Sequence, residues 1–186
     1  MQTRPEKPKL AWAITGSGHY LDECLEIIRD LPDVDLFYSR AGEEVIRMYG
    51  HDPKALNNGG HVYRDRAASS PPVGLFYRGD YHTLVVAPAT SNTVAKMVMG
   101  LSDTLVTNVY AQAGKCRVPS IVLACDAMSE VDTPAPDRMV RLWPRAVDLA
   151  HTETLRSFEA TTVVESAEAL YATLKKRLED VNADHG

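Results

Sequence analysis

The chain has 186 residues and a formal net charge of −5. That is enough for one domain with a substantial core, but too acidic, with its 20 Lys and Arg residues scattered, to hold nucleic acid by neutralising phosphates. Hydrophobic residues make up 45% and charged residues 24%, which excludes a disordered chain, and no apolar run approaches the ~20 residues that cross a bilayer. The start MQTRPEKPK lacks a signal-peptide core, and Cys24, Cys116 and Cys125 form no CxxC pair. The expectation is a single cytoplasmic domain over 1–186 with no nucleic-acid partner, no membrane partner and no metal site.

In chain order, Leu10 to Ile14 reads as the first strand and Thr15-Gly16-Ser17-Gly18 as a turn. A helix from His19 follows, with Leu21, Cys24, Leu25 and Ile28 at helical spacing and Pro32 as its stop. Such a turn can seat a phosphate on Gly16, Ser17 and Gly18, because the helix start offers unpaired N–H groups and a positive dipole end. Leu21 stands where a dinucleotide fingerprint wants glycine or alanine, so a plain tight turn is the competing reading. Val34 to Tyr38 is the second strand. Ser39 and Arg40 follow it, where a nicotinamide dinucleotide site would carry an acid for the ribose; they suit a terminal monophosphate, with an NADP phosphate clamp or a solvated Arg40 as alternatives. Glu43 to Tyr49 reads as a helix with Val45, Ile46 and Met48 inward. The stretch 50–72 is turn-rich, with a strand suggested only at Val62 and Tyr63, and reads as a substrate-side loop or subunit contact. Arg64 and Arg66 could meet an anionic substrate there or remain solvated.

Leu84 to Ala87 forms the short apolar run of a strand buried on both faces, and Pro88 is expected to end it, since proline cannot donate to a ladder. The turn Ala89-Thr90-Ser91-Asn92-Thr93 leads into a helix whose apolar face is Val94, Ala95, Met97 and Val98, with Gly100 as a left-handed cap. The turn holds more polar groups than one cap requires, and Ser102, Asp103, Thr107 and Asn108 form a second cluster. This segment suits an anion or the polar edge of a flat ring, with simple capping as the alternative. Val118 to Cys125 is the next strand and opens onto Asp126. Carboxyl ends of neighbouring parallel strands share one crevice, so Asp126 is expected near the Gly16 and Pro88 turns, as a ligand contact or a turn cap. The stretch 132–144 reads as a packed loop or short helix anchored by Met139, Leu142 and Trp143. Thr161 to Val164 is a last strand. Ala167, Leu170, Tyr171, Leu174 and Leu178 then mark an amphipathic helix with Lys175, Lys176, Arg177, Glu179 and Asp180 on its solvated face, before a tail, Ala183 to Gly186, expected to fray. The alternation predicts an α/β fold with a doubly wound, mostly parallel sheet, a Rossmann-like or flavodoxin-like three-layer sandwich.

Pro88 to Asn92 followed by Thr93, Ala95, Lys96, Gly100, Asp103 and Leu105 resembles the signature of the flavoprotein superfamily that includes flavin-containing cysteine decarboxylases, flavin prenyltransferases and dihydromethanopterin reductases. The resemblance implies bound FMN, contacted by Pro88, Ala89, Thr90, Ser91, Asn92 and Thr93. Gly16, Ser17, Gly18, Ser39, Arg40, Asp103 and Asn108 complete the candidate cofactor contacts, and members of the superfamily also carry serine or threonine where this chain has Ser39.

Departures from the family pattern narrow the chemistry. The histidine of the decarboxylases falls on Gly74 here, and their Pro-Ala-Met-Asn element reads Cys125-Asp126-Ala127-Met128, without the asparagine. The arginine and glutamate of the prenyltransferases correspond to Asn108 and Asp126. The likeness is closest to dihydromethanopterin reductases and related archaeal flavoproteins, through the loop ending Ser69-Ser70-Pro71-Pro72-Val73-Gly74 and the strand ending Cys125-Asp126. By resemblance, the chain is an FMN-dependent oxidoreductase passing a hydride to a carbon–nitrogen double bond of a dihydropterin, with Asp126 as candidate catalytic residue and a separate electron donor. Alternatives are a decarboxylase or prenyltransferase relative, a non-enzymatic FMN electron carrier, and an inactive binding subunit. Relatives are trimers or assemblies of trimers, so a homo-oligomer is expected.

Overall fold

The computed structural model describes residues 7–56, 59–67 and 69–183. Six parallel strands form one sheet in the order β3-β2-β1-β4-β5-β8. They are β1 (Lys9–Ile14), β2 (Asp35–Tyr38), β3 (Val62–Arg64), β4 (Tyr81–Ala89), β5 (Ser120–Ala124) and β8 (Thr161–Val164). The chain starts in the middle, winds outward through β2 to β3, then returns to the other side of β1 at β4 and winds outward again. This is the doubly wound, flavodoxin-like α/β fold that the alternation predicts, with its topological switch between β1 and β4.

Strand side chains alternate between faces, and the two central strands divide their residues accordingly. Ala11 and Ala13 of β1 and Leu84 and Val86 of β4 face one core layer. That layer is covered by α3 (Gly74–Tyr77), α4 (Ser91–Val98), α5 (Leu105–Lys115) and α6 (Ala146–Arg156), through Phe76, Val94, Val109 and Leu155. Trp12 and Ile14, with Val85 and Ala87, face the other layer. There α1 (Leu21–Asp30), α2 (Arg40–Met48) and α7 (Ala167–Ala183) bring Leu25, Ile46 and Leu174. Every residue from Leu10 to Ile14 and from Thr83 to Ala89 is buried, which explains why these strands read as continuous apolar runs rather than alternating ones. Among the described residues no helix is long and apolar enough to cross a membrane.

Several expectations change. Pro88 does not end β4: the Ala87–Pro88 peptide is cis, and the strand continues to Ala89, which pairs with Ala124 after a register irregularity. Helix α1 starts at Leu21 rather than His19, because Tyr20 before it is left-handed (φ 62°). Helix α2 begins earlier than Glu43, with Ser39 as its N-cap, and Met48 on it is exposed. The stretch expected to be a packed loop is an antiparallel hairpin, β6 (Val131–Ala135) and β7 (Arg138–Leu142). Its expected anchors Met139, Leu142 and Trp143 point outward, and the inward contacts come from Val131 and Thr133. Arg177 is not on a solvated face: its guanidinium donates to Thr83 Oγ1 and to the His82 carbonyl, both at 3.0 Å. The sequence pattern assigns nothing to 146–156, which forms α6. Of the tail from Ala183 to Gly186 expected to fray, Ala183 is the last residue of α7 and 184–186 fall outside the described residues.

Candidate functional site

At the switch point the connections that leave β1 and β4 pass to opposite faces of the sheet and border a crevice of about 550 Å³, in the range of small-ligand sites. Its floor is the end of β1, Thr15 and Gly16. One wall is the start of α2, with Ser39 and Arg40; the opposite wall is the start of α4, with Thr90, Asn92 and Thr93. Asp103 closes one end.

Thr15 joins the two halves. Its hydroxyl donates to the Pro88 carbonyl at 2.7 Å and accepts from the Thr90 N–H at 2.9 Å, while its own N–H donates to Pro88 O at 3.2 Å. From β1 as well, Trp12 Nε1 donates to Ala87 O at 2.7 Å, and on the other side of β4 the Cys125 N–H donates to Ala89 O at 3.0 Å. The backbone around Pro88 is thus fixed from both neighbouring strands. Thr15 is absent from the sequence-derived candidates; its signal was a hydroxyl at the first position after an apolar strand.

Both helix starts point into the crevice. The Ser39 hydroxyl accepts from Gly42 N at 2.9 Å, and Thr90 Oγ1 accepts from Thr93 N at 3.2 Å, so each caps its helix, which for Thr90 is the plainer of its two readings. The first intrahelical bonds run from Glu43 N to Ser39 O and from Val94 N to Thr90 O. The N–H groups of Arg40, Ala41, Ser91 and Asn92 therefore precede both ladders and stand with the positive dipole ends. Arg40 adds a cation, held by a 3.0 Å bond from its Nε to Asp65 O. An anion fits this cradle.

Gly16 lines the crevice, but its smallness also serves packing: a Cβ there would lie 2.5 Å from Ala41 Cβ. A Cβ on Gly18 would fall 1.9 Å from Tyr49 Oη. Ser17 and Gly18 lie beyond the crevice lining, and the Ser17 hydroxyl accepts from His19 N at 3.1 Å. Pro88 and Ala89 are buried beneath it, and Ser91 starts α4 beside it. The second polar cluster is satisfied internally. Thr104 and Thr107 form a capping box for α5, and the Asn108 amide donates to the Ser102 and Thr104 carbonyls, each at 2.9 Å. Asp103 accepts from Lys96 Nζ at 2.8 Å on both oxygens, and that ammonium lowers the Asp103 pKa. Asn108 does not line the crevice.

Asp126 belongs to a neighbouring group just past β5. Its charge is felt by His19 and by Arg145 at the start of α6. Burial holds the His19 ring below the ordinary histidine pKa, against the opposing fields of Glu23 and Asp126, and its Nε2 is buried without a partner among the described residues. Cys125 beside it is fully packed, its thiol pushed up to about 12 by burial. It is no nucleophile at neutral pH.

The model of the Flavoprotein family matches residues 1–183. This chain belongs to the Flavoprotein family. It is 50% identical to DmrB of Burkholderia xenovorans, a structure described as a cubic protein cage for redox transfer in complex with FMN; the TM-score is 0.87, over 95% of this chain and 98% of that one. It is 40% identical over 141 residues to the dihydromethanopterin reductase (acceptor) of Methanosarcina mazei, and 41% identical over 138 residues to that of Methanocaldococcus jannaschii. Those matches cover 69% and 67% of this chain but only 59% and 56% of the reductases. The chain thus spans less than two thirds of the length of these two relatives. The family match extends over the crevice, both helix starts and the Asp126 group.

Proposed function

We propose that this protein is an FMN-dependent oxidoreductase of the dihydromethanopterin reductase type, acting on a dihydropterin in the cytoplasm. The observation that carries the proposal is the pair of helix N-termini, at Ser39 and Thr90, opening into one crevice that Arg40, bonded to Asp65 O, also lines. A flavin mononucleotide has one dianionic end and one flat polar-edged ring, and the crevice offers a matching donor set. The N–H groups of Arg40 and Ala41, the Ser39 O–H and the Arg40 guanidinium would hold the phosphate. Gly16, Thr90, Ser91 and Asn92 would border the ring system, with Pro88, Ala89 and Thr93 holding that turn in place. Identity of 50% to a protein solved with FMN supports this assignment.

Held in this crevice and reduced by a separate donor, FMN would supply hydride chemistry for a carbon–nitrogen double bond of the dihydropterin. The protein's share is position and proton supply. Asp126, partly exposed at the end of β5, would orient the pterin or deliver the proton its nitrogen takes up. Donor and acceptor visiting one crevice in turn give ping-pong kinetics. Gly74 has no side chain to exchange a proton, and Met128, itself exposed, cannot supply the paired hydrogen bonds of an asparagine, so decarboxylation of a cysteine substrate is not expected.

A homo-oligomer built from trimers completes the proposal. DmrB is described as a cubic cage, and Met139, Leu142 and Trp143 leave apolar surface on this subunit for such contacts. Light scattering reporting a monomer at micromolar concentration would contradict it.

The deciding experiment is anaerobic stopped-flow on flavin-loaded protein that has been reduced and then mixed with a dihydropterin. Rapid flavin reoxidation is expected, slowed in Asp126→Asn at unchanged FMN affinity. Reoxidation by oxygen or protein acceptors alone would make the protein an electron carrier, the second reading.

A further inference from the structure

We infer that the opposite, amino-terminal edge of the sheet carries a second ligand site, for a small oxyanion, carboxylate or phosphate ester, with an aromatic or aliphatic body. A cavity of about 610 Å³ lies there, as large as the crevice at the carboxyl edge. Arg78, Arg117 and Arg177 all line it, in a chain whose formal net charge is −5. Three separate connections deliver them: the segment between α3 and β4, the loop between α5 and β5, and the second half of α7.

The three guanidiniums are not equivalent. Arg78 pairs with Asp80. Arg177 is oriented by neutral oxygens, with Nε on Thr83 Oγ1 and an Nη on the His82 carbonyl, both at 3.0 Å. Arg117 sits in a left-handed backbone position (φ 56°), with its side chain exposed. Among the described residues neither Arg117 nor Arg177 has a carboxylate partner. Two uncompensated cations on one cavity, one of them oriented in advance, form a fork for a planar or tetrahedral oxyanion. Beside the arginines and His82, the wall has an apolar part from Phe76, Tyr77, Val118 and Val181, with Tyr77 69% exposed. Inorganic phosphate would use only the cations. A ligand with an apolar body would use both halves.

Cys116 provides a reporter. It lines this cavity and is partly exposed, whereas Cys24 and Cys125 are buried. The test uses the FMN-loaded full chain titrated with 1-naphthyl phosphate, 1-naphthoate and neutral 1-naphthol, followed by calorimetry and by the rate of iodoacetamide alkylation at Cys116. Saturable binding of at least one anion is expected, at least ten-fold tighter than naphthol, slowing Cys116 alkylation five-fold or more. The arm that binds tighter identifies phosphate or carboxylate as the preferred head. Arg117→Gln, at an exposed position that leaves folding intact, should weaken the anion at least five-fold without altering FMN uptake. Equal binding of naphthol and the anions, unchanged alkylation of Cys116, or full affinity in Arg117→Gln would each overturn the site. Loss of the anion on FMN loading would place binding in the flavin crevice and overturn it too.

Discussion

Two prolines sit inside strands of this protein, and the difference between them separates the strand that leads into the switch-point crevice from a two-stranded surface ribbon. Pro88 lies in β4, in the middle of the sheet, and Pro134 lies in β6, in a two-stranded hairpin. Each carbonyl accepts a side-chain hydroxyl at 2.7 Å, from Thr15 in the first case and Tyr49 in the second. Around Pro88, further bonds come from β1 and from the residue after β5, and the surrounding residues are buried. Around Pro134 the flanking Asp132 and Pro136 are exposed, and the hairpin's large apolar side chains face out. A hydroxyl-to-carbonyl bond in a dry, doubly flanked strand organises a site; the same bond in a ribbon fastens a flap. Burial, not bond length, sets how much each is worth.

The largest consequence of breaking that comparison should come from Thr15→Val. The buried Pro88 carbonyl would lose a donor and the part-buried Thr90 N–H its acceptor, at a cost of roughly 1–3 kcal/mol, and the α4 start would be free to drift from β1. We expect a urea midpoint lowered accordingly and FMN affinity reduced at least ten-fold in a fluorescence titration. Flavin uptake equal to wild type would show that the Thr15 bridge does not hold the crevice.

Within the crevice, Asn92→Ala should weaken FMN binding several-fold more than Lys96→Ala. Asn92 is the exposed second residue of α4 and lines the crevice, whereas the Lys96 ammonium is already engaged by both oxygens of Asp103. Equal affinities in the two variants would mean that the turn borders something other than the flavin.

Tyr49→Phe is the matching change at the hairpin. It removes one partly exposed hydrogen bond to Pro134 O, about 1 kcal/mol or less. Limited proteolysis should cut within 131–142 faster while FMN affinity stays within two-fold of wild type. A ten-fold loss of flavin would make the hairpin part of the cofactor site.

The same contrast explains what the sequence could and could not disclose. The central strands were legible because burial on both faces leaves an uninterrupted apolar run, and the α4 start because Thr90 is a capping residue in the expected place. The extent of β4 past Pro88 was not, because a proline's lack of an N–H says nothing about whether its carbonyl and its neighbours still bond to strands on either side. The hairpin was hidden for another reason: with Met139, Leu142 and Trp143 outward and Val131 and Thr133 inward, its apolar pattern does not describe this subunit's own core. Asp103 and Asn108 could not be sorted in this way, because polar residues at a helix start carry the same signature whether they cap or bind; in the structure Asp103 lines the crevice with Lys96 on both its oxygens, and Asn108 directs its amide to two carbonyls outside the lining.

The smallest expected effect lies at His19, between the two regions, where it follows the glycine packed against Tyr49 and its carbonyl lies 3.8 Å from the Cys125 thiol. Burial lowers its pKa below the ordinary 6.5, with Glu23 and Asp126 only partly opposing that. The linkage has a definite sign. Above pH 6.5 the ring is neutral in both the folded and the unfolded chain, and it adds no pH dependence. As the pH falls below 6.5, the unfolded chain takes up a proton that the folded ring still refuses, so stability declines until the folded ring protonates as well. The urea midpoint of the wild type should therefore drop between pH 7.5 and pH 5.5 by more than that of His19→Gln, which keeps a polar side chain but cannot titrate. Comparing the two proteins cancels the contribution of the other histidines, whose environments the substitution leaves in place. An equal drop in both would mean that the His19 ring is hydrated in the folded protein.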